Sequence, residues 1–143
     1  DFSRVTQPIV RYRLNYILVL KEGSCSCGNA ATAIERIEGR SDDSLILEGK
    51  DGRQITVFAD LCNRVIAGVL PLEADYRLVQ EGKQMRFSSN CPDELLKGCT
   101  AALENCFKAQ GADISQIKWE ISTSIPESDF TQKRRRISRV KQA

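Results

Sequence analysis

At 143 residues and 41% hydrophobic content, the chain is long enough for one core of ordinary size and too short for two. Its longest apolar runs, YILVL and VIAGVL, fall well short of the roughly 20 residues that cross a bilayer, so a membrane-spanning helix is excluded and a soluble domain is expected. Net charge is +2 but uneven: Lys133, Arg134, Arg135, Arg136, Arg139 and Lys141 give the last eleven residues six cations and no acid, leaving 15 basic against 19 acidic residues elsewhere.

A body of net charge −4 argues against a dedicated nucleic-acid face. The basic tail is the candidate for phosphate contact or for a nuclear import signal. The chain opens on Asp1 and its only methionine is Met85, which suggests an excised or processed start with any leader already lost.

In chain order, IVRYRLNYILVL over 9–20 mixes alternation with a continuous apolar end, the pattern of a long strand entering a core. A Gly, Ser and Asn rich connection follows, then a short alternating strand over 33–38 and the polar turn GRSDD. Strands over 44–50 and 53–58 flank Asp51-Gly52, a pair suited to the positive φ of a tight hairpin turn. The run over 63–69 reads as a fifth strand, with Gly68 as a bulge and Pro71 as its stop. Strands over 75–80 and 83–88 then form a second hairpin around Glu81-Gly82.

The segment 92–109 carries the clearest signal. Leu95, Leu96, Cys99, Leu103, Cys106 and Phe107 recur at helical spacing and share one face. Pro92 suits a first turn, Asp93 and Glu94 complement the positive helix end, and Ser89, Asn90 or Cys91 is expected to supply the cap, while Gly111 allows a left-handed stop. Ile117, Trp119 and Ile121 alternate with polar residues as a final strand over 117–122. Beyond Pro126 the composition turns polar and basic.

Seven strands followed by one amphipathic helix predict a mainly β, α+β fold: a seven-stranded antiparallel barrel of pleckstrin-homology-like plan, its open mouth plugged by the helix. The alternative is an α+β sandwich in which the helix lies on one sheet and strand 117–122 pairs within it. Residues 1–123 are expected to form one interaction domain and 124–143 a flexible basic tail.

Catalysis is not expected. The chain has no histidine, the commonest general base, and its glycines never gather into a nucleotide-binding loop. Asp42-Asp43 and Asp93-Glu94 read as a turn and a helix start. The loop KEGSCSCGNAAT holds one lysine and one glutamate, which gives a phosphate site no support. Six cysteines admit a disulfide framework, but Cys99 and Cys106 stand about 10.5 Å apart along one helix, too far to bridge each other. Reduced thiols are the simpler reading. Zinc is disfavoured, because Cys25 and Cys27 are separated by a single residue. No cofactor, metal, small-molecule substrate or membrane partner is expected.

What remains is docking of a partner segment to a groove or edge of the sheet. The expected rim is the last hairpin, with Leu78, Met85, Arg86 and Phe87 as candidates. Core packing is the plainer explanation for all but Arg86.

The stretch LVQEGKQMRFSSNCPDELLKGCTAALENC resembles the amino-terminal domain of the recombination protein 114 family, accessory factors for meiotic DNA double-strand breaks. RYRLNYIL resembles that family's opening strand more loosely. The resemblance covers about a third of the chain. It implies a non-enzymatic, pleckstrin-homology-like domain, nuclear in meiotic cells, that docks segments of the break-forming complex subunits. The rival expectation is a secreted, disulfide-bonded α/β protein of the effector or killer-toxin kind, motivated by the even cysteine count and the non-methionine start. A third is a nucleic-acid-binding module acting through the basic tail, salt-sensitive and blind to sequence.

Overall fold

The computed structural model describes residues 15–23, 26–40, 44–126 and 135–140. The chain divides into two compact units, Asp1–Ser41 and Asp42–Ala143, where the sequence predicts a single domain to residue 123.

The first unit is a β-hairpin. Strand β1 (Tyr16–Leu20) pairs antiparallel with β2 (Ile34–Arg40), with register shifts between Ile17 and Leu18 and between Val19 and Leu20. The first part of the expected strand 9–20 lies outside the described residues. Tyr16, Leu20, Ile34 and Ile37 are exposed large hydrophobic residues.

The second unit is α+β. Strands β3 (Ser44–Glu48) and β4 (Gln54–Phe58) form an antiparallel hairpin, with Gly52 at φ 76° closing the turn through its N–H to the Gly49 carbonyl. Helix α1 (Ala59–Ala67) follows directly. Strands β5 (Tyr76–Glu81) and β6 (Gln84–Ser89) make the second hairpin, and α2 (Asp93–Ala109) comes next. A short 3-10 turn (Ile114–Gln116) leads into β7 (Lys118–Ser122), and β8 (Ile137–Arg139) ends the order. The four-stranded sheet runs β7-β6-β5-β8.

This architecture overturns the barrel. A seven-stranded meander needs a strand between the two hairpins, and residues 59–67 are helical instead. Leu61, Cys62, Val65, Ile66 and Val69 meet the core at spacings of three and four, a period that the continuous run VIAGVL conceals. Without that strand the sheets stay separate. The outer strands of the four-stranded sheet also pair parallel to their neighbours, β7 to β6 and β8 to β5, where a barrel of this plan requires antiparallel pairs. The chain is α+β, with two helices and eight strands in small sheets among the described residues.

The stripe on α2 is buried as its spacing predicts, but against this sheet and α1. Leu96, Cys99, Leu103 and Phe107 join Leu45, Ile66, Leu78, Met85 and Phe87 in one core. Pro92 itself takes the N-cap position with no side-chain cap, so none of the three residues before it serves. Gly111 adopts φ 89° just past the helix end, as expected.

Candidate functional site

The edge of β5 is the best-defined seat for an extended segment. Alternation along YRLVQ turns Tyr76, Leu78 and Gln80 inward and leaves Arg77 and Val79 on the other face. Against this edge lies β8, in parallel register with Ile137 opposite Leu78, Ser138 opposite Val79 and Arg139 opposite Gln80. The Leu78 N–H donates to the Arg136 carbonyl at 2.8 Å, and the Val140 N–H donates to the Gln80 carbonyl at 2.9 Å.

Two side chains fix the segment. Ile137 is 2% exposed and belongs to the core, with β8 lying against α1 and β3 as well as β5. Burying an isoleucine of this kind contributes roughly 1.5–3 kcal/mol. The Arg136 guanidinium sits 5.0 Å from the centroid of the Tyr76 ring, a cation-π distance. The Tyr76 hydroxyl donates to Asn63 Oδ1 of α1 at 2.8 Å, which holds the ring in place. Burial raises the Tyr76 pKa, and the neighbouring Arg136 charge opposes that rise only in part.

Gln80 completes the seat from within. Only 3% exposed, it accepts from the Ile46 N–H at 2.8 Å and donates to the Ile46 carbonyl at 2.5 Å and to the Gly82 carbonyl at 3.1 Å. One amide side chain thereby supplies β3 with the two hydrogen bonds a neighbouring strand would give. Beside it opens a cleft of about 580 Å³ whose wall includes Ile46, Glu48, Lys50, Lys83 and Asp113. Lys83 pairs there with Glu48 at 3.1 Å and with Gln116, both contacts exposed to solvent. The Ser115 hydroxyl, followed by the Ser115 N–H at 3.0 Å, lowers the Asp113 pKa, helped by Lys50 and Lys83.

The residues expected at a partner rim are placed as follows. Leu78, Met85 and Phe87 are 0%, 1% and 0% exposed, so their side chains build the core and offer a partner no surface. Leu78 contributes through its backbone N–H alone. Arg86 reaches solvent and pairs with Glu81 at 2.9 Å. Of the basic tail, Lys133, Arg134 and Lys141 lie outside the described residues. Arg135 is exposed, Arg136 stacks on Tyr76, and Arg139 is half-buried in β8. Residues 137–139 are thus a strand of the sheet where a flexible tail was expected.

Sequence reasoning missed Ile137, Gln80, Tyr76 and Asn63. The signal for Gln80 was present, since it shares the inward alternation of Tyr76 and Leu78. Ile137 is a single apolar anchor inside a basic run, and periodicity has nothing to work on there.

Cys62, Cys91 and Cys99 are buried and Cys106 is half-buried, all four as free thiols, and Cys27 is exposed. Burial, with Cys106 nearby, pushes the Cys62 thiol up to about 12, and burial with Cys91 nearby pushes Cys99 to about 11. Such thiols are poor nucleophiles. Among the described residues no cluster of potential ligands suits a metal ion, and no helix is long and apolar enough to cross a membrane. No protein-family model matches the chain, and no curated protein matches it significantly.

Proposed function

We propose that this chain is a non-enzymatic protein-interaction domain that takes an extended partner segment along the β5 edge, in the place its own residues 136–140 fill. The observation that supports this reading is β8 itself: a three-residue strand held by backbone pairing, one buried isoleucine and one stacked arginine. This is strand addition, in which the main chain gives affinity and alternate side chains give selectivity. The favoured partner carries an arginine followed by a β-branched apolar residue. The likeness of residues 78–106 to the recombination protein 114 family suggests the setting, a subunit of the meiotic break-forming complex in the nucleus. The barrel that the same likeness implied is absent, so the setting rests on those residues alone.

The test is binding of a labelled peptide of residues 133–143 to the full chain and to the chain carrying Ile137→Ser. An intramolecular segment competes at an effective concentration on the order of millimolar, so the unmodified chain should bind the peptide at least about tenfold more weakly than the variant. No binding to either chain, or equal binding to both, would contradict the proposal.

A further inference from the structure

We propose that Ser138 is a phosphoacceptor for a serine kinase of basic-residue preference, and that its phosphate keeps Ile137–Arg139 off the β5 edge. This inference rests on the seat described above and adds its regulation.

Arg135 and Arg136 stand three and two residues before Ser138, which is the one described serine with two arginines among the three residues that precede it. Paired guanidinium groups at fixed offsets are what an acidic substrate cleft reads. The fold adds a second condition. Ser138 is half-buried on the face opposite Ile137, and its own amide lies between the bonds from Leu78 to Arg136 and from Val140 to Gln80. In a parallel ladder that places its N–H and C=O on β5. A kinase that holds its substrate as an extended, unpaired backbone reaches Ser138 only after β8 has left the edge. A three-residue edge strand is the element best suited to leave.

In the transfer, Ser138 Oγ attacks the γ-phosphorus of a nucleoside triphosphate. The serine O–P bond forms as the bond to the β,γ-bridging oxygen breaks, the diphosphate departs and the hydroxyl proton passes to the base of the kinase. The modified strand then fits its seat badly. Its register partner is the half-buried Val79, and on the same face one diagonal neighbour is Glu81, already paired with Arg86. The other diagonal neighbour, Arg77, already has a partner, although its Nε is buried without a hydrogen bond. A dianion there loses hydration against Val79, and it is compensated only by drawing Arg77 or Arg86 from the partners they already hold.

The experiment treats the full chain with a purified basic-directed serine kinase and ATP, and maps the phosphate by mass spectrometry. Binding is then read with a labelled 133–143 peptide carrying Ser138→Ala, which the kinase cannot modify. The expected result is one phosphate on Ser138, formed at least tenfold more slowly in Arg135→Ala, and at least tenfold tighter peptide binding after modification. A chain carrying Ser138→Ala should bind the peptide equally with and without treatment. An unmodified Ser138, in a chain whose free 133–143 peptide the kinase does modify, overturns the proposal. So does a phosphate on Ser138 that leaves peptide binding unchanged. In either case, peptide binding by Ile137→Ser shows that the seat stands and only the switch has failed, whereas no binding by Ile137→Ser means that the seat reading has failed and the switch with it.

Discussion

Gln80 shows how much one polar residue inside a core can govern. It ties β5 to β3 through both the N–H and the carbonyl of Ile46 and also donates to the Gly82 carbonyl, so its removal takes a partner from three backbone groups at once. Gln80→Leu keeps the volume and loses the bonds, and the expected cost is about 1–3 kcal/mol in a denaturant titration. Its inward position was legible from the alternation of Tyr76, Leu78 and Gln80, but its partner was not, since Ile46 is 34 residues away. The buried thiols make a second residue-scale prediction. Burial pushes the Cys62 thiol from the ordinary 9.0 up to about 12 in the fold. Below pH 9 the thiol is protonated in both states and stability does not depend on it. Between about 9 and 12 the unfolded chain ionises first, so stability falls as pH rises, by roughly 4 kcal/mol at the limit from this group. Cys99 acts in the same direction. Stability measured from pH 8 to 11 should fall less steeply in Cys62→Ala than in the parent chain.

At the scale of elements, α2 was legible because apolar spacing, the acidic first turn and the glycine stop agree, although the expected side-chain cap does not form. The stop can be tested: Gly111 at φ 89° is left-handed, and a Cβ there meets only Ile55 Cδ1 at an ordinary 3.6 Å. Gly111→Ala should therefore cost about 1–2 kcal/mol from the backbone alone, read as a lower denaturation midpoint with an unchanged slope. Helix α1 was not legible, because an apolar run of six residues reads equally well as a buried strand, and the arbiter is the packing of Cys62 and Ile66 against α2. The hairpins β3-β4 and β5-β6 were legible from their Asp-Gly and Glu-Gly turns, and both glycines hold positive φ. Strand β8 was hidden for the opposite reason to α1. Its composition is that of a solvated tail, and a long-range partner turns it into a strand.

For the whole molecule, order along the chain misleads where it suggests a meander. Strands β7 and β8 take opposite edges of one sheet, and each pairs parallel to its neighbour, an arrangement that local pattern does not encode. The consequence is that the segment nearest the end of the chain completes the core through Ile137 and occupies an edge that would otherwise be open. The function proposed for the domain depends on that edge being refillable. The most direct measurement is hydrogen exchange at the Leu78 amide, which donates to Arg136. The account predicts slow exchange in the parent chain, fast exchange in Ile137→Ser, and slow exchange again when that variant is saturated with the 133–143 peptide. A Leu78 amide that stays protected in Ile137→Ser, or that the peptide fails to protect again, would contradict it.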